Sequence, residues 1–207
     1  MLESKRDGKV FDMLSLLIEL QRLKGLDRTG WTLRGLANGT ESVASHSFGV
    51  SVTAMLLADE MKARGVDLDC ERVLRMALIH DWAETRIGDM PRTATQYFGS
   101  QVRKEAETKA FADMVEETTT KTTLSSLHHD YEKRDTLEAR VVKAADILDL
   151  LIQAYALERA GAKGLDEFWE VAIDVDFQLP SFAAEVVAEL LQLILSARQR
   201  LNLVPAE

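Results

Sequence analysis

Residues 77–91, ALIHDWAETRIGDMP, place an imidazole and two carboxylates within five residues, directly after an apolar run that predicts a buried helix. His80, Asp81 and Glu84 fall within five residues of one another. Burying carboxylates is costly unless they are paired or bind a metal. Side chains four residues apart lie on the same face of a helix, so His80 and Glu84 can point into one cavity. Asp81 lies on the adjacent face and can reach the same cavity from the side. The fold must therefore bring partners to these groups.

Two interpretations of this segment stay open at this point. Imidazole and carboxylate groups bind first-row divalent metals well, and a glutamate one turn away is placed to handle a proton. In the second interpretation the helix carries two satisfied polar residues and a solvated glutamate. Residues 77–91 alone do not decide between them.

The rest of the sequence predicts helices. Only three prolines occur in 207 residues, so long helices meet few interruptions, and no segment alternates convincingly as a strand would. The predicted helices cover roughly residues 9–24, 41–64, 69–88, 101–117, 124–131, 135–160, 168–173 and 181–201. Asp69 and Asp135 are the expected N-cap residues of the third and sixth of these helices, and Gly25 is expected to stop the first. We predict one all-α domain over residues 1–207, with a core at about 10–175 and a C-terminal helix at about 181–201.

Composition narrows the class of protein. Cys70 is the single cysteine, which excludes an internal disulfide framework and fits a reducing compartment. The first ten residues, MLESKRDGKV, lack the apolar core of a signal peptide, and no apolar run reaches the ~18 residues of a membrane span. We therefore expect a soluble cytoplasmic protein. The net charge of −9 disfavours a nucleic-acid polymer as partner but allows a small phosphorylated substrate.

Four residues are candidate metal ligands, each in an apolar setting of one of three predicted helices: His46, His80, Asp81 and Asp146. Two imidazoles and two carboxylates suit a six-coordinate divalent metal with water in the open positions. Taken singly, His46 fits an ordinary helix histidine, and Asp146 could pair with Lys143 within the core.

The order of these residues, H…HD…D, resembles that of the HD-domain metal-dependent phosphohydrolases. Four blocks extend the resemblance to the 5′-deoxynucleotidases of the YfbR and HD-domain-containing protein 2 type. They are LDRTGW (26–31), ESVASHS (41–47), ALIHDWAETRIGDMP (77–91) and VVKAADILDLLIQA (141–154). The resemblance spans about residues 10–175 and includes little of the C-terminal helix.

The resemblance implies an HD-domain helical bundle, a homodimer, and hydrolysis of deoxynucleoside 5′-monophosphates to deoxynucleoside and phosphate. It implies one divalent cation (Mn, Co, Fe, Mg or Zn) held by the four candidate ligands His46, His80, Asp81 and Asp146. By position, the resemblance makes Glu84 and Asp89 catalytic residues and Arg28 and Trp31 substrate-binding residues. Arg34 is a further candidate substrate-binding residue, because either Arg28 or Arg34 could hold the phosphate.

The segment 28–45 departs from part of the family. Arg28 and Trp31 are separated here by two residues, whereas the bacterial subgroup has arginine and tryptophan adjacent, and the loop before His46 is slightly longer. Trp31 could instead fill the core, and Arg34 could be a surface residue.

Two other functions fit the same candidate residues, and one further pair of histidines could form a site. One alternative is an HD phosphohydrolase acting on triphosphates or cyclic nucleotides, and another is a non-catalytic nucleotide-binding protein. The adjacent His128 and His129 lie in a polar predicted helix, which favours a solvated face for both.

Overall fold

The structure is a computed structural model that describes residues 2–172 and 175–203. Within these residues the chain forms α-helices and no strand; one isolated bridge joins Asp27 and Ser42. The helices are α1 (Leu2–Leu20), α2 (Thr29–Thr32), α3 (Val43–Ala63), α4 (Cys70–Ile79), α5 (Glu84–Ile87), α6 (Arg92–Phe98), α7 (Ser100–Val115), α8 (Lys121–Lys133), α9 (Leu137–Arg159), α10 (Asp166–Glu170) and α11 (Ser181–Leu203), with a 3-10 helix at Gln21–Lys24. The all-α prediction is confirmed.

The helices group into two compact units, each made of two separate stretches of chain. Among the described residues, the first unit comprises 2–47 and 78–133, and the second comprises 48–77 and 134–203. In the first unit α7 packs on α5, α6 and α8; in the second, α9 packs on α10 and α11. The single domain expected over residues 1–207 stays a prediction.

Each unit has its own apolar core. In the first unit, fully buried side chains include Trp31, Val43, Phe111, Val115 and Leu127. In the second unit they include Val50, Met61, Val73, Leu148 and Leu151. No helix in the described part of the chain is both long enough and apolar enough to cross a membrane.

The helix predicted over residues 69–88 is interrupted. Its start is as expected, because the carboxylate of Asp69 accepts a hydrogen bond from the Arg72 backbone N–H at 3.0 Å. The helix stops at Ile79, however, and residues 80–83 form turns before α5 begins at Glu84. Backbone bonds to the third preceding residue, such as Glu84 N to Asp81 O at 3.1 Å, replace the α-helical pattern there. The prediction that His80 and Glu84 share one continuous helix is therefore wrong.

Two other predicted boundaries shift. Thr136, rather than Asp135, caps α9, because its hydroxyl accepts the Ala139 N–H at 3.2 Å. The short helix predicted at residues 168–173 is replaced by α10 at Asp166–Glu170, and Ile173 lies outside the described residues. The C-terminal helix begins at the predicted residue, Ser181.

The adjacent histidines of α8 have different environments. His129 is exposed, as expected, whereas His128 is 3% exposed and stacks on the Phe111 ring, with centroids 4.1 Å apart and planes 17° from parallel. The expectation of a solvated face is wrong for His128, because α7 covers it. Burial lowers the pKa of this imidazole to about 4, and the neighbouring His129 adds to the effect.

Candidate active site

Two buried histidines form the base of the candidate site in the first unit. His46 lies near the start of α3, and His80 follows the last residue of α4. They are 1% and 4% exposed, and their ring centroids are 5.5 Å apart at 64°. His80 also meets the Tyr131 ring edge-on at 5.6 Å. Packing on several sides therefore fixes the orientation of the imidazoles.

Asp81 joins the two histidines. Its Oδ2 atom is 3.2 Å from His80 Nε2 and 3.7 Å from His46 Nε2. The Arg28 guanidinium lies on the same carboxylate oxygen, with Nη1 at 3.6 Å. Burial alone would raise the pKa of Asp81, but the two imidazoles and Arg28 outweigh it and hold the pKa well below its usual range. Asp81 is therefore a carboxylate, the form that binds a cation.

The three side chains fit a divalent metal. One ligand atom from each of His46, His80 and Asp81 lies within 4.8 Å of the other two. Donor atoms that share an ion at about 2.1 Å lie roughly 3–4 Å apart, which matches the separations of Asp81 Oδ2 from the imidazole nitrogens. Two imidazole nitrogens and a carboxylate are donors that first-row divalent metals accept. The cluster is a candidate metal centre.

Glu84 begins α5 beside this cluster and is 2% exposed. Neither of its carboxylate oxygens has a hydrogen-bond partner within the described residues. Burial raises the pKa of Glu84 well above its ordinary value, and the negative charges of Asp81 and Asp89 raise it further, while Arg28 and Arg103 oppose the rise. A buried carboxyl group with a raised pKa and no fixed partner is suited to exchanging a proton with a reacting molecule.

Asp89 forms hydrogen bonds with the glycine-rich loop, residues 26–40, and so connects this loop to the candidate site. Its carboxylate accepts hydrogen bonds from Arg28 Nη1 at 3.2 Å and from the Thr29 backbone N–H at 2.5 Å. The Thr29 hydroxyl donates to the Asp89 carbonyl at 2.5 Å. Arg28 is thereby held between the Asp89 and Asp81 carboxylates. The arrangement shows Asp89 positioning Arg28 and the start of α2.

The two other predicted substrate residues lie farther along the same loop. Trp31 is 1% exposed, and its indole N–H donates to the Glu41 carboxylate at 2.5 Å, so it packs in the core of the first unit. Arg34 is half-buried, and its backbone N–H bonds to the Trp31 carbonyl at 3.0 Å. Their contacts with substrate stay predictions from the resemblance.

Asp146 belongs to α9 of the second unit and is not in the three-residue cluster. Its Oδ2 atom accepts a hydrogen bond from Lys143 Nζ at 2.7 Å, the pairing that the sequence offered as an alternative. The assignment of Asp146 as the fourth ligand stays a prediction.

Sequence reasoning missed two residues of this region. Glu41, 8% exposed, fixes the Trp31 indole, but the sequence presents it only as the start of a helix. Arg103 comes from the charged helix α7, where one arginine among many charges carries no distinguishing signal. Its guanidinium reaches the Met90 carbonyl beside Asp89, with Nη1 at 3.4 Å.

Comparison with known proteins places the chain among phosphohydrolases. The protein named 5′-deoxynucleotidase YGK1 from Saccharomyces cerevisiae is 30% identical over 168 residues, which are 78% of this chain and 75% of that protein. The protein named 5′-deoxynucleotidase HDDC2 from Homo sapiens is 31% identical over 147 residues, 70% of this chain and 68% of that protein.

A solved structure and a family profile also match this chain. A conserved hypothetical protein from Pyrococcus furiosus is 38% identical, with a TM-score of 0.73, and the match covers 86% of this chain and 99% of that chain. The sequence profile of the HD domain matches residues 20–175, which include His46, His80 and Asp81. The chain therefore belongs to the HD domain family.

Proposed function

We propose that this protein is a metal-dependent 5′-deoxynucleotidase, which hydrolyses deoxynucleoside 5′-monophosphates to the deoxynucleoside and phosphate. One observation carries the reaction type: His46, His80 and Asp81 converge beside the buried carboxyl group of Glu84. The substrate class comes from the two relatives named as 5′-deoxynucleotidases, each of which matches more than two thirds of this chain.

Metal binding is assigned to His46, His80 and Asp81, with Asp146 as the fourth ligand by resemblance. A divalent ion, when bound, supplies Lewis-acid activation of water and neutralises charge on the phosphoryl group. The ion is one of Mn, Co, Fe, Mg or Zn; the two imidazoles favour the transition metals and zinc over Mg, which prefers oxygen ligands.

The protein side chains perform the remaining chemistry. In its carboxylate form Glu84 takes a proton from the attacking water. The group is buried and has no hydrogen-bond partner within the described residues, and its raised pKa makes the carboxylate a stronger base. Arg28 binds phosphoryl oxygens with guanidinium N–H groups, which suit a phosphate. Asp89 keeps Arg28 in place through the contact at 3.2 Å. By resemblance, the loop that carries Trp31 and Arg34 contacts the sugar of the substrate.

Phosphate release from a panel of nucleotides tests the proposal. The protein is stripped of metal and reloaded singly with Mn, Co, Fe, Mg or Zn, and each form is given deoxy and ribo 5′-monophosphates. We expect metal-dependent release that favours the deoxy substrates. If the protein hydrolyses only triphosphates or cyclic nucleotides, the assignment of the metal centre stands and the proposed substrate class is wrong. No release from any nucleotide, despite bound metal, would refute the enzymatic assignment.

The Glu84→Gln variant tests the proton role. Because this change removes the base and keeps the volume, we expect kcat to fall by about 10²–10⁴-fold. Glu105→Gln, at an exposed position of α7, is the matched control and retains wild-type kcat. Wild-type kcat in Glu84→Gln with full metal content would remove Glu84 from the mechanism.

A homodimer is part of the proposal. In the described part of α1, the exposed large apolar side chains recur at helical spacing along one face: Val10, Met13, Leu14, Leu17 and Ile18. A second copy of the chain is the occupant that the resemblance implies for such a face. Sedimentation velocity is expected to give a dimer for the wild type and a monomer for Leu14→Glu/Leu17→Glu. A monomeric wild type would refute it.

We also propose a cytoplasmic location, on composition alone. Cys70 is the single cysteine, as suits a reducing compartment. Fractionation of cells that express the chain is expected to recover it in the cytosolic fraction, and recovery in a secreted fraction would contradict this location.

A further inference from the structure

Arg103 is a second arginine next to the candidate site, supplied by α7 rather than by the glycine-rich loop. Its Nε atom donates to the Glu107 carboxylate at 2.6 Å, and its Nη1 atom lies 3.4 Å from the Met90 carbonyl. The Nη2 group has no hydrogen-bond partner within the described residues. The side chain is 30% exposed, so the guanidinium is fixed on two sides and still open to a ligand.

The candidate site has more carboxyl groups than arginines, so the positive charge of the Arg103 guanidinium matters there. Asp81, Glu84 and Asp89 give the region three carboxyl groups, and Arg28 is already paired with two of them. Burial alone would lower the pKa of Arg103, but Glu107, Glu84 and Asp81 outweigh it and raise the pKa. Arg103 is therefore a permanent cation close enough to the reacting carboxyl groups to interact with them.

A phosphomonoester brings about two negative charges into this acidic region. A binding site for it needs donors that are not already used by protein carboxylates. Arginine binds phosphate through a planar fork of N–H groups, and a fork held by other contacts loses little freedom on binding. Glu107 and the Met90 carbonyl hold Arg103 in this way and leave one amino group available.

We propose that Arg103 is a phosphate-binding residue, whose Nη2 group donates to a phosphoryl oxygen of the substrate alongside Arg28. The proposal rests on the proposed function, because it takes the substrate to be a phosphomonoester. It adds to the site a residue that neither the loop at 26–40 nor the HD segment contains. The anchor on Met90, next to Asp89, connects it to the same segment that holds Arg28.

A purely structural role for Arg103 predicts different behaviour. If the side chain only secures the Met90 segment, its loss would lower stability or metal content and leave the affinity for phosphate in the folded, metal-loaded protein unchanged. A phosphate-binding role predicts the reverse. Affinity for phosphate is therefore the deciding quantity, and inorganic phosphate is the probe, because it carries the recognised group without sugar or base.

Calorimetric titration of inorganic phosphate into the manganese-loaded, full-length protein is the test. We expect Arg103→Gln to weaken phosphate binding about 10- to 100-fold, as loss of a charged hydrogen bond does. Metal content and melting temperature should match the wild type. Lys104→Gln, which removes one positive charge from an exposed neighbour on α7, is the control and should bind phosphate as the wild type does.

Phosphate affinity within twofold of wild type in folded, metal-loaded Arg103→Gln would overturn the assignment, as would a wild-type protein that binds no phosphate. If Arg103→Gln does not fold, Arg103→Lys decides, because it keeps the charge and loses the fork. A several-fold loss in Arg103→Lys supports the assignment, and unchanged affinity overturns it. A protein that binds phosphate through Arg103 but hydrolyses no nucleotide would refute the proposed function and leave this assignment intact.

Discussion

The buried imidazole of His128 predicts a measurable loss of stability in mild acid. Its pKa is about 4 in the folded protein, and it has an ordinary value of 6.5 in the unfolded chain. Above pH 6.5 the imidazole is neutral in both states and contributes no pH dependence. Below it the unfolded chain binds a proton that the folded protein excludes, so stability falls as the pH drops toward 4.

The magnitude follows from the difference between the two pKa values. Each unit of difference corresponds to about 1.4 kcal/mol, so the loss reaches about 3 kcal/mol near pH 4 and about 1.4 kcal/mol near pH 5.5. The cost has a structural cause: within the described residues His128 Nε2 is buried without a hydrogen-bond partner, and the ring stacks on Phe111. That environment offers nothing to solvate an imidazolium.

Urea unfolding of the metal-free protein between pH 7.5 and 4.5 measures the effect. His128→Leu removes the titrating group and keeps an apolar side chain of similar size, so the carboxylates common to both proteins cancel in the comparison. We expect the free energy of unfolding of the wild type to fall relative to His128→Leu by about 1.4 kcal/mol per pH unit below 6.5. His129→Gln, at the exposed neighbour, removes only the smaller of the two causes of the lowered His128 pKa, so it should keep most of the pH dependence of the wild type. A wild-type minus His128→Leu difference that does not change with pH would refute the reasoning.

Three further changes test other contacts. Gly49→Ala would place a Cβ atom 2.8 Å from the Asp149 Cγ atom, so we expect a loss of about 1–3 kcal/mol by urea unfolding. Ser51→Ala, on the same helix, serves as its control and should lose less. Asp146→Ala should reduce bound metal by elemental analysis, and full metal occupancy would remove Asp146 from the ligand set. Asp89→Ala releases Arg28 and Thr29, so KM for the nucleotide should rise about tenfold or more, and an unchanged KM would count against positioning by Asp89.

Local sequence signals predicted much of the helical structure. The Asp69 cap appears as expected, because a side-chain oxygen before an amphipathic helix satisfies a backbone N–H that the helix leaves unpaired. Gly25 ends the first helical stretch, as its sequence position indicates. The convergence of His46, His80 and Asp81 was expected from the cost of burying such groups together with the family resemblance. The structure brings one ligand atom of each within 4.8 Å of the other two, and their role as metal ligands stays a prediction.

Features that depend on tertiary contacts could not be predicted from the sequence. The polar sequence of α8 gives no sign that α7 covers His128, because neighbours distant in the chain decide burial. The sequence is compatible with Trp31 as a pocket residue or as a core residue, and no sequence pattern indicates its hydrogen bond to Glu41. The division into two units could not be predicted either, because each unit combines separate stretches of the chain and hydrophobic periodicity describes only one helix at a time.

The interruption after Ile79 has a chemical consequence for the HD pair. Neighbouring residues in an α-helix point about 100° apart, so a continuous helix would direct His80 and Asp81 to different surroundings. In the observed turns the His80 imidazole and the Asp81 carboxylate approach to 3.2 Å, and both reach His46. Because residues 80–83 form turns, the His80 and Asp81 side chains are not held to the directions that a continuous helix would impose. The break in the helix after Ile79, which the sequence did not predict, thus lets two adjacent residues share one cluster, as the predicted metal ligation by His80 and Asp81 requires.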